Sequence, residues 1–347
     1  MSEARAQAFA ESVRDHAIGA MWIATALIGE RTGLWQALAD APATSAQLAA
    51  RTGLQERYVL EWLRGQVANG ALEHDAASGR FTLPPEHATV LLDPDSPLYA
   101  GGLPRMATSF ARVVPEVERA FREGGGVPYA AYGADGRSSI ADANASGFRK
   151  RFAQEWVPAL GSGVVDRLRA GGSALEMGCG VGNAAVALAL AFPAASIVGV
   201  DLDAGSLDDA QRNAREAGVG DRVRFCRPDE AEGAHDLVYA FEMVHDCGDP
   251  VAVLRSMRAC AAPGGAVLVG DDVGAEDLAG DVGPTGALLY GCSVLHCLPV
   301  SLAEPGGAGT GTCMRESTFR GYAADAGFGA VDVLPIDHDY WRFYRLR

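Results

Sequence analysis

The residues with the most chemistry in this chain are Glu176, the glycines at 178, 180 and 182, Asp201, and the pair His245-Asp246. The stretch Glu176-Met177-Gly178-Cys179-Gly180-Val181-Gly182-Asn183 follows a short apolar run and leads into the alanine-rich segment 184–191. Glycines at alternate positions let backbone turn tightly and approach a ligand closely. A second apolar burst, Ser196 to Val200, ends in Asp201, nineteen residues past Gly182. A carboxylate there can accept hydrogen bonds from both hydroxyls of a ribose. The spacing is Gly-x-Gly-x-Gly, not the Gly-x-Gly-x-x-Gly of pyrophosphate-binding folds. With an acid two residues before the first glycine, the turn suits a cofactor that carries a ribose but no phosphate.

These residues need a scaffold that brings strand ends together. From about residue 160 the pattern alternates, with strands expected at 174–177, 197–201, 223–227, 236–240, 266–270, 330–334 and 340–344. Helical segments at 207–217 and 251–260 separate the earlier ones, so parallel strands joined by crossover helices are expected, an open α/β sheet. Residues 271–312 read as a long insertion with nine glycines.

The front of the chain is different. Residues 5–36 read as one helix with a broad apolar surface, including Phe9, Val13, Met21 and Trp22, that suits packing against a partner. Thr44 with Gln47 three residues on is a capping-box signature, opening a helix at 45–51. A second helix at 56–69 and a hairpin at 72–83 complete a winged-helix pattern. Domain limits are set at 1–95, 96–160 and 161–347. The middle segment is rich in glycine and aromatics, among them Phe110, Tyr129, Tyr132, Phe148, Phe152 and Trp156, and is expected to cover the site.

Composition narrows the partners. The net charge is −15, and residues 1–95 hold seven arginines against twelve acids. The expected recognition helix sets Glu56 and Glu61 against Arg57 and Arg64, so it offers no basic face to nucleic acid. The longest apolar run, 17–29, is shorter than a membrane span needs. Seven scattered cysteines without a Cys-x-x-Cys pair fit reduced thiols of a cytoplasmic enzyme. Cys292, His296 and Cys297 lack a fourth ligand for zinc. The partner expected is a small molecule.

The acidic residue followed by Gly-x-Gly-x-Gly, with Asp201 and the later segments in order, resembles the class I S-adenosylmethionine-dependent methyltransferases over roughly 157–347. That resemblance implies a Rossmann-like seven-stranded sheet with a terminal antiparallel strand, preceded here by the mostly helical winged-helix domain. It implies S-adenosylmethionine as cofactor. Gly178, Cys179 and Gly180 would meet its tail, Glu176 its ammonium, Asp201 its ribose, Leu202 an adenine face and Asp229 the adenine amino group, with Phe241 also lining the cofactor site.

The segment Ala240-Phe241-Glu242-Met243-Val244-His245-Asp246 is similar to that of plant and bacterial small-molecule O-methyltransferases, where a His-Asp-Trp sequence supplies the base. His245 falls on the catalytic histidine, whereas Cys247 replaces the tryptophan. A histidine near neutral pKa suits deprotonation of a hydroxyl. Tyr290, His296 and Cys297 are expected in the pocket wall, with Tyr290 and Cys297 seven apart on one helix face. Asp271-Asp272 lacks an accompanying Asp-Asn pair, so metal-free chemistry is expected. The reading is a cytoplasmic, homodimeric methyltransferase of secondary metabolism acting on an aromatic or hydroxylated acceptor. Carbon or nitrogen transfer on the same scaffold, or a winged-helix regulator that senses the cofactor, are the alternatives.

Overall fold

The computed structural model describes residues 2–347. The chain divides at Thr108–Ser109 into two compact units. In the first, helices α1 (Glu3–Arg31), α2 (Leu34–Asp40), α3 (Ser45–Thr52) and α4 (Glu56–Ala68) precede a hairpin of β1 (Glu73–Asp75) and β2 (Arg80–Thr82), then α5 (Pro85–Leu92). The helix expected over 5–36 ends at Arg31, because Gly33 turns left-handed (φ 71°) and α2 restarts beyond it. The capping box at Thr44 and Gln47 forms with both hydrogen bonds, 3.0 and 3.3 Å.

Two tryptophans organise this unit. Trp35 and Trp62 meet edge to face at 4.7 Å, and their indole N–H groups donate to the carbonyls of Ala26 and Thr25 on α1. A Cβ on Gly29 would lie 2.5 Å from Trp62 and 2.6 Å from Trp35, so only glycine permits this approach. The other side of α1 leaves Phe9, Val13 and Met21 in solvent. On α4, Arg57 and Glu61 pair one turn apart, consuming the basic charge on that face.

Helix α6 (Leu103–Arg112) carries the chain across the division. In the second unit, α7 (Val114–Glu123), α8 (Gly133–Gly147), a π-helical stretch Phe148–Trp156 and α9 (Ser162–Arg169) lead into the sheet. Its strands are β3 (Ser173–Met177), β4 (Ser196–Val200), β5 (Val223–Cys226), β6 (His235–Phe241), β7 (Ala261–Asp272), β8 (Val331–Val333) and β9 (Trp341–Leu346). They lie in the order β5-β4-β3-β6-β7-β9-β8; β3 to β7 run parallel, and β9 is antiparallel to both neighbours. Helices α10 (Asn183–Ala191), α11 (Ala204–Glu216) and α12 (Pro250–Ala259) make the crossovers. The chain runs outward from β3 through β4 and β5, then returns to place β6 on the other side of β3. The carboxyl ends of β3, β4 and β6 therefore frame the crevice where such sheets hold ligands.

The segment 271–312 is not a loop. It contains α13 (Pro284–Cys292), a π-helical turn Ser293–Cys297 and α14 (Leu298–Leu302) in continuous succession. By length and composition alone this helix could cross a membrane, yet Ser293, His296, Cys297, Pro299 and Ser301 are buried within the unit. Pro299 has no N–H to offer the Leu295 carbonyl, and the Tyr132 hydroxyl donates to it instead at 2.7 Å. The Pro299 carbonyl accepts from the Val127 N–H at 2.9 Å, so the strap 124–133 lies along this helix.

Candidate active site

The glycine turn after β3 is built of left-handed backbone at Gly178 (φ 67°), Gly180 (φ 50°) and Gly182 (φ 80°). No atom lies within 4 Å of a Cβ built on Gly180, so the outer side of the bend is bare. At Gly182 a Cβ would strike the Phe225 ring at 2.6 Å, which ties the turn to β5. Asp201, just past β4, faces the bend: one carboxylate oxygen accepts the Gly180 N–H at 2.8 Å and the other the Asp203 N–H at 2.9 Å. Burial raises its pKa while these two amides pull it back. The bare backbone at Gly180 and the Asp201 carboxylate beside it fit an adenosine cofactor of this type, while Gly178 packs against Met243, whose side chain a Cβ there would meet at 3.0 Å.

The remaining expected cofactor residues are distributed unevenly. Glu176 is buried and accepts the Tyr239 hydroxyl at 3.3 Å, burial holding its pKa well above the carboxylate range. It is a support of the turn, engaged with the sheet. Cys179 is buried beside it, and burial raises its thiol likewise. Leu202 and Asp229 sit on the exposed rim; Arg227 links them, donating to the Leu202 carbonyl at 3.0 Å and lying 3.9 Å from the Asp229 carboxylate. Phe241 departs from expectation. Its ring stacks on Trp341 at 5.6 Å inside the aromatic core with Phe148, Phe152 and Trp156, because alternation along β6 turns it under the sheet.

His245 lies in the short helical turn Val244–Asp246 after β6. The chain enters through Glu242 at φ 48°, the one non-glycine among the described residues with positive φ. Such backbone persists only where its surroundings fix it. Here the Glu242 carboxylate accepts from the Trp341 indole at 2.9 Å and from the Asn144 amide of α8.

His245 is 3% exposed, and its Nδ1–H donates to Asp271 at the end of β7. Asp271 also accepts the amides of Val244 (3.1 Å), His245 (3.3 Å) and Asp272 (2.9 Å). Burial opposes the imidazolium, but Asp271 and Cys297 outweigh it and hold His245 well above the usual histidine pKa. Asp246 is pushed to about 7 by burial, only partly offset by His245.

His245, Asp271 and Asp272 place one ligand-type atom each within 4.8 Å of one another. The two oxygens of Asp271, however, already accept four hydrogen bonds, about the capacity of a carboxylate. The arrangement is that of a carboxylate fixing the orientation of a histidine, with Nε2 becoming a basic lone pair once the imidazolium loses its proton.

The helix 284–302 supplies the opposite wall. Cys297 hydrogen-bonds His245 and lies 3.5 Å from Nδ1 of His296. His296 is stacked on Phe110 (4.8 Å) with Tyr132 and Tyr129 edge-on at 4.5 and 5.7 Å. Burial, then the nearby His245, lower its pKa to about 3, so this ring is neutral. Tyr290 does not join it. Its hydroxyl donates to Asp281 at 2.9 Å and accepts from Arg315 at 3.0 Å. The wider π-helical turn at 293–297 breaks the seven-residue alignment and rotates Cys297 away from the Tyr290 face. The positioning roles of Asp271 and Glu242 were missed from sequence, as neither has a local pattern that marks it.

The chain matches two family models, an Rv2258c-like winged HTH domain over residues 19–92 and a methyltransferase domain over 175–267. Among curated proteins it is similar to 27-O-demethylrifamycin SV methyltransferase of Amycolatopsis mediterranei, 33% identical over 109 residues, covering 30% of this chain and 40% of that protein. The chain spans less than half the length of the curated relatives it matches. Among solved structures, human N-acetylserotonin methyltransferase in complex with S-adenosylmethionine aligns with a TM-score of 0.72 at 18% identity, over 100% of this chain and 99% of that one. Mitomycin 7-O-methyltransferase aligns at 0.71 and 20% identity, again over 100% and 99%. At these identities the likeness is one of fold. The chain thus carries a winged helix-turn-helix domain followed by a methyltransferase domain, on the fold of solved O-methyltransferases.

Proposed function

We propose that the protein transfers a methyl group from S-adenosylmethionine to a hydroxyl of a small molecule, with His245 as general base. The observation that carries this reading is the Asp271–His245 pair at the carboxyl edge of the sheet. The cofactor would supply the methyl carbon on a sulfonium, whose leaving thioether is neutral and asks no acid of the protein. The turn at Gly178 and Gly180 offers it backbone, bare at Gly180, Asp201 its sugar contacts, and Leu202 and Asp229 the rim toward the adenine.

His245 must hold Nε2 unprotonated toward the acceptor and take its proton as the new bond forms. Asp271 keeps the imidazole in that tautomer and stabilises the imidazolium that results. The aromatic wall of Phe110, Tyr129 and Tyr132 behind His296 and Cys297 excludes water and aligns the acceptor.

The reading includes a cytoplasmic homodimer. The apolar outer face of α1 supports association of two copies, and the acidic front domain with its Arg57–Glu61 pair disfavours nucleic acid as the partner. Titration calorimetry with S-adenosylhomocysteine, followed by a methyl-transfer screen of phenols, indoles and amines, tests it. Saturable binding and turnover of one class are expected. No heat with S-adenosylhomocysteine would remove the reading.

A further inference from the structure

Buried polar atoms gather around the base, and not all of them are met by a partner. Asp272 ends β7 beside Asp271, is 5% exposed, and its Oδ1 has no hydrogen-bond partner. Its Oδ2 lies 3.9 Å from His245 Nε2, too far for a hydrogen bond yet close enough for one atom, or two adjacent ones, to touch both. His296 Nε2 is also buried without a partner, whereas the Thr312 hydroxyl is met by Cys297. A buried polar atom left unsatisfied is costly and in native structures calls for an explanation.

Charge points the same way. The strongest charges felt at His245, Asp246 and Asp272 are other carboxylates and His245 itself, with no arginine or lysine among them. Arg137 is held by Asp203 and Asp209, and Arg315 by Asp281. Burial and mutual repulsion already hold Asp272, Asp246 and Glu242 above the ordinary carboxylate range, so the site disfavours negative charge, and once His245 is deprotonated for reaction a carboxylate or phosphate there would add to it.

From this geometry we propose that Asp272 is a specificity-determining residue that selects acceptors presenting two donor hydrogens at the methylated end and rejects those carrying an anion there. The proposal rests on the methyl-transfer reading above. One donor hydrogen goes to His245 Nε2 and leaves as the proton of the reaction. The second goes to Asp272 and stays with the product. Two chemistries supply such a pair, vicinal hydroxyls on a ring or the two hydrogens of an amine nitrogen.

The test compares four probes of one size on the S-adenosylhomocysteine-loaded protein: catechol, aniline, phenol and salicylate. Catechol or aniline should bind about five- to tenfold more tightly than phenol, the effect of one further hydrogen bond to a buried acceptor. Whichever of the two leads identifies the source of the donors, and salicylate should be the weakest. In Asp272→Ala, which removes the acceptor oxygen, the preference over phenol should fall to about threefold or less and salicylate should gain, while affinity for S-adenosylhomocysteine is retained. Salicylate binding wild type as well as catechol, no probe binding at all, or an unchanged ranking in the variant would each overturn the proposal. So would a catechol preference lost with a chelator and restored by magnesium or zinc, which would assign these atoms to a metal. Failure of S-adenosylhomocysteine itself to bind is a different result, and counts against the underlying methyl-transfer reading.

Discussion

The two ends of the crevice are made by opposite means. The glycine turn and Asp201 come from one strand-turn-helix-strand run, residues 173–201, and are held by backbone: the carboxylate of Asp201 is fixed by the amides of Gly180 and Asp203. The base end gathers His245 after β6, Asp271 and Asp272 from β7, Cys297 and His296 from the helix 284–302, and aromatic rings from 110–132. A cofactor site of the first kind tolerates change around it, because its geometry is local. An acceptor site of the second kind is remade by any shift of its parts, which suits one scaffold to many acceptors.

Perturbations at each end should separate along this line. His245→Ala should lower turnover about 10²- to 10⁴-fold, the range for losing a general base, while S-adenosylhomocysteine affinity measured calorimetrically stays within about threefold. A parallel loss of affinity would mean that the two ends are not independent. Asp201→Ala should do the converse, weakening S-adenosylhomocysteine by about tenfold or more through loss of charge-assisted hydrogen bonds.

Asp271→Asn sharpens the base end. Its carboxylate raises the His245 pKa, and a base works only once deprotonated, so kcat/KM of the wild type should rise with pH above neutrality. Removing that charge lowers the pKa, so in the variant the rising limb should move to lower pH, with a smaller plateau from the misaligned ring. A limb that stays in place would assign it to another group.

The smallest effect concerns stability. The folded state holds the Asp246 proton up to about pH 7, against 3.8 when unperturbed, so stability is lost as pH rises between those values. Asp246→Asn removes that loss. Its melting temperature relative to wild type should be about 2 °C or more higher at pH 8 than at pH 4.5. An equal difference at both pH values would place the carboxyl outside the buried cluster.

Legibility in the sequence followed the same division. All seven strands of the large sheet were anticipated, the buried parallel ones because they read as short apolar runs closed by glycine or acid, although β7 begins at Ala261, ahead of the expected 266. The capping box at Thr44 and the hairpin at 73–82 were visible for the same local reason. The break of the first helix at Gly33 was not, because one left-handed residue ends a helix without disturbing its apolar pattern. A helical run around 290–297 was expected, but its extent over 284–302 was hidden by flanking glycines and by a π-helical turn, which shifts the periodicity on which a helical reading depends. Phe241 and Tyr290 were assigned to ligands for their type and proximity in sequence, yet the side to which each ring turned was decided by Trp341 in one case and by Asp281 and Arg315 in the other.

What the sequence determined by itself was the bend at 178–182, the carboxylate at 201 and the strand-turn-helix-strand run that joins them, because backbone conformation and short-range hydrogen bonds depend on neighbours in the chain. Only the tertiary structure decided that Asp271 fixes His245, that Asp272 keeps an unpaired oxygen beside it, and that His296 is neutral within a box of rings. Those properties arise from burial and from charges that lie far apart in sequence, and no local pattern carries them.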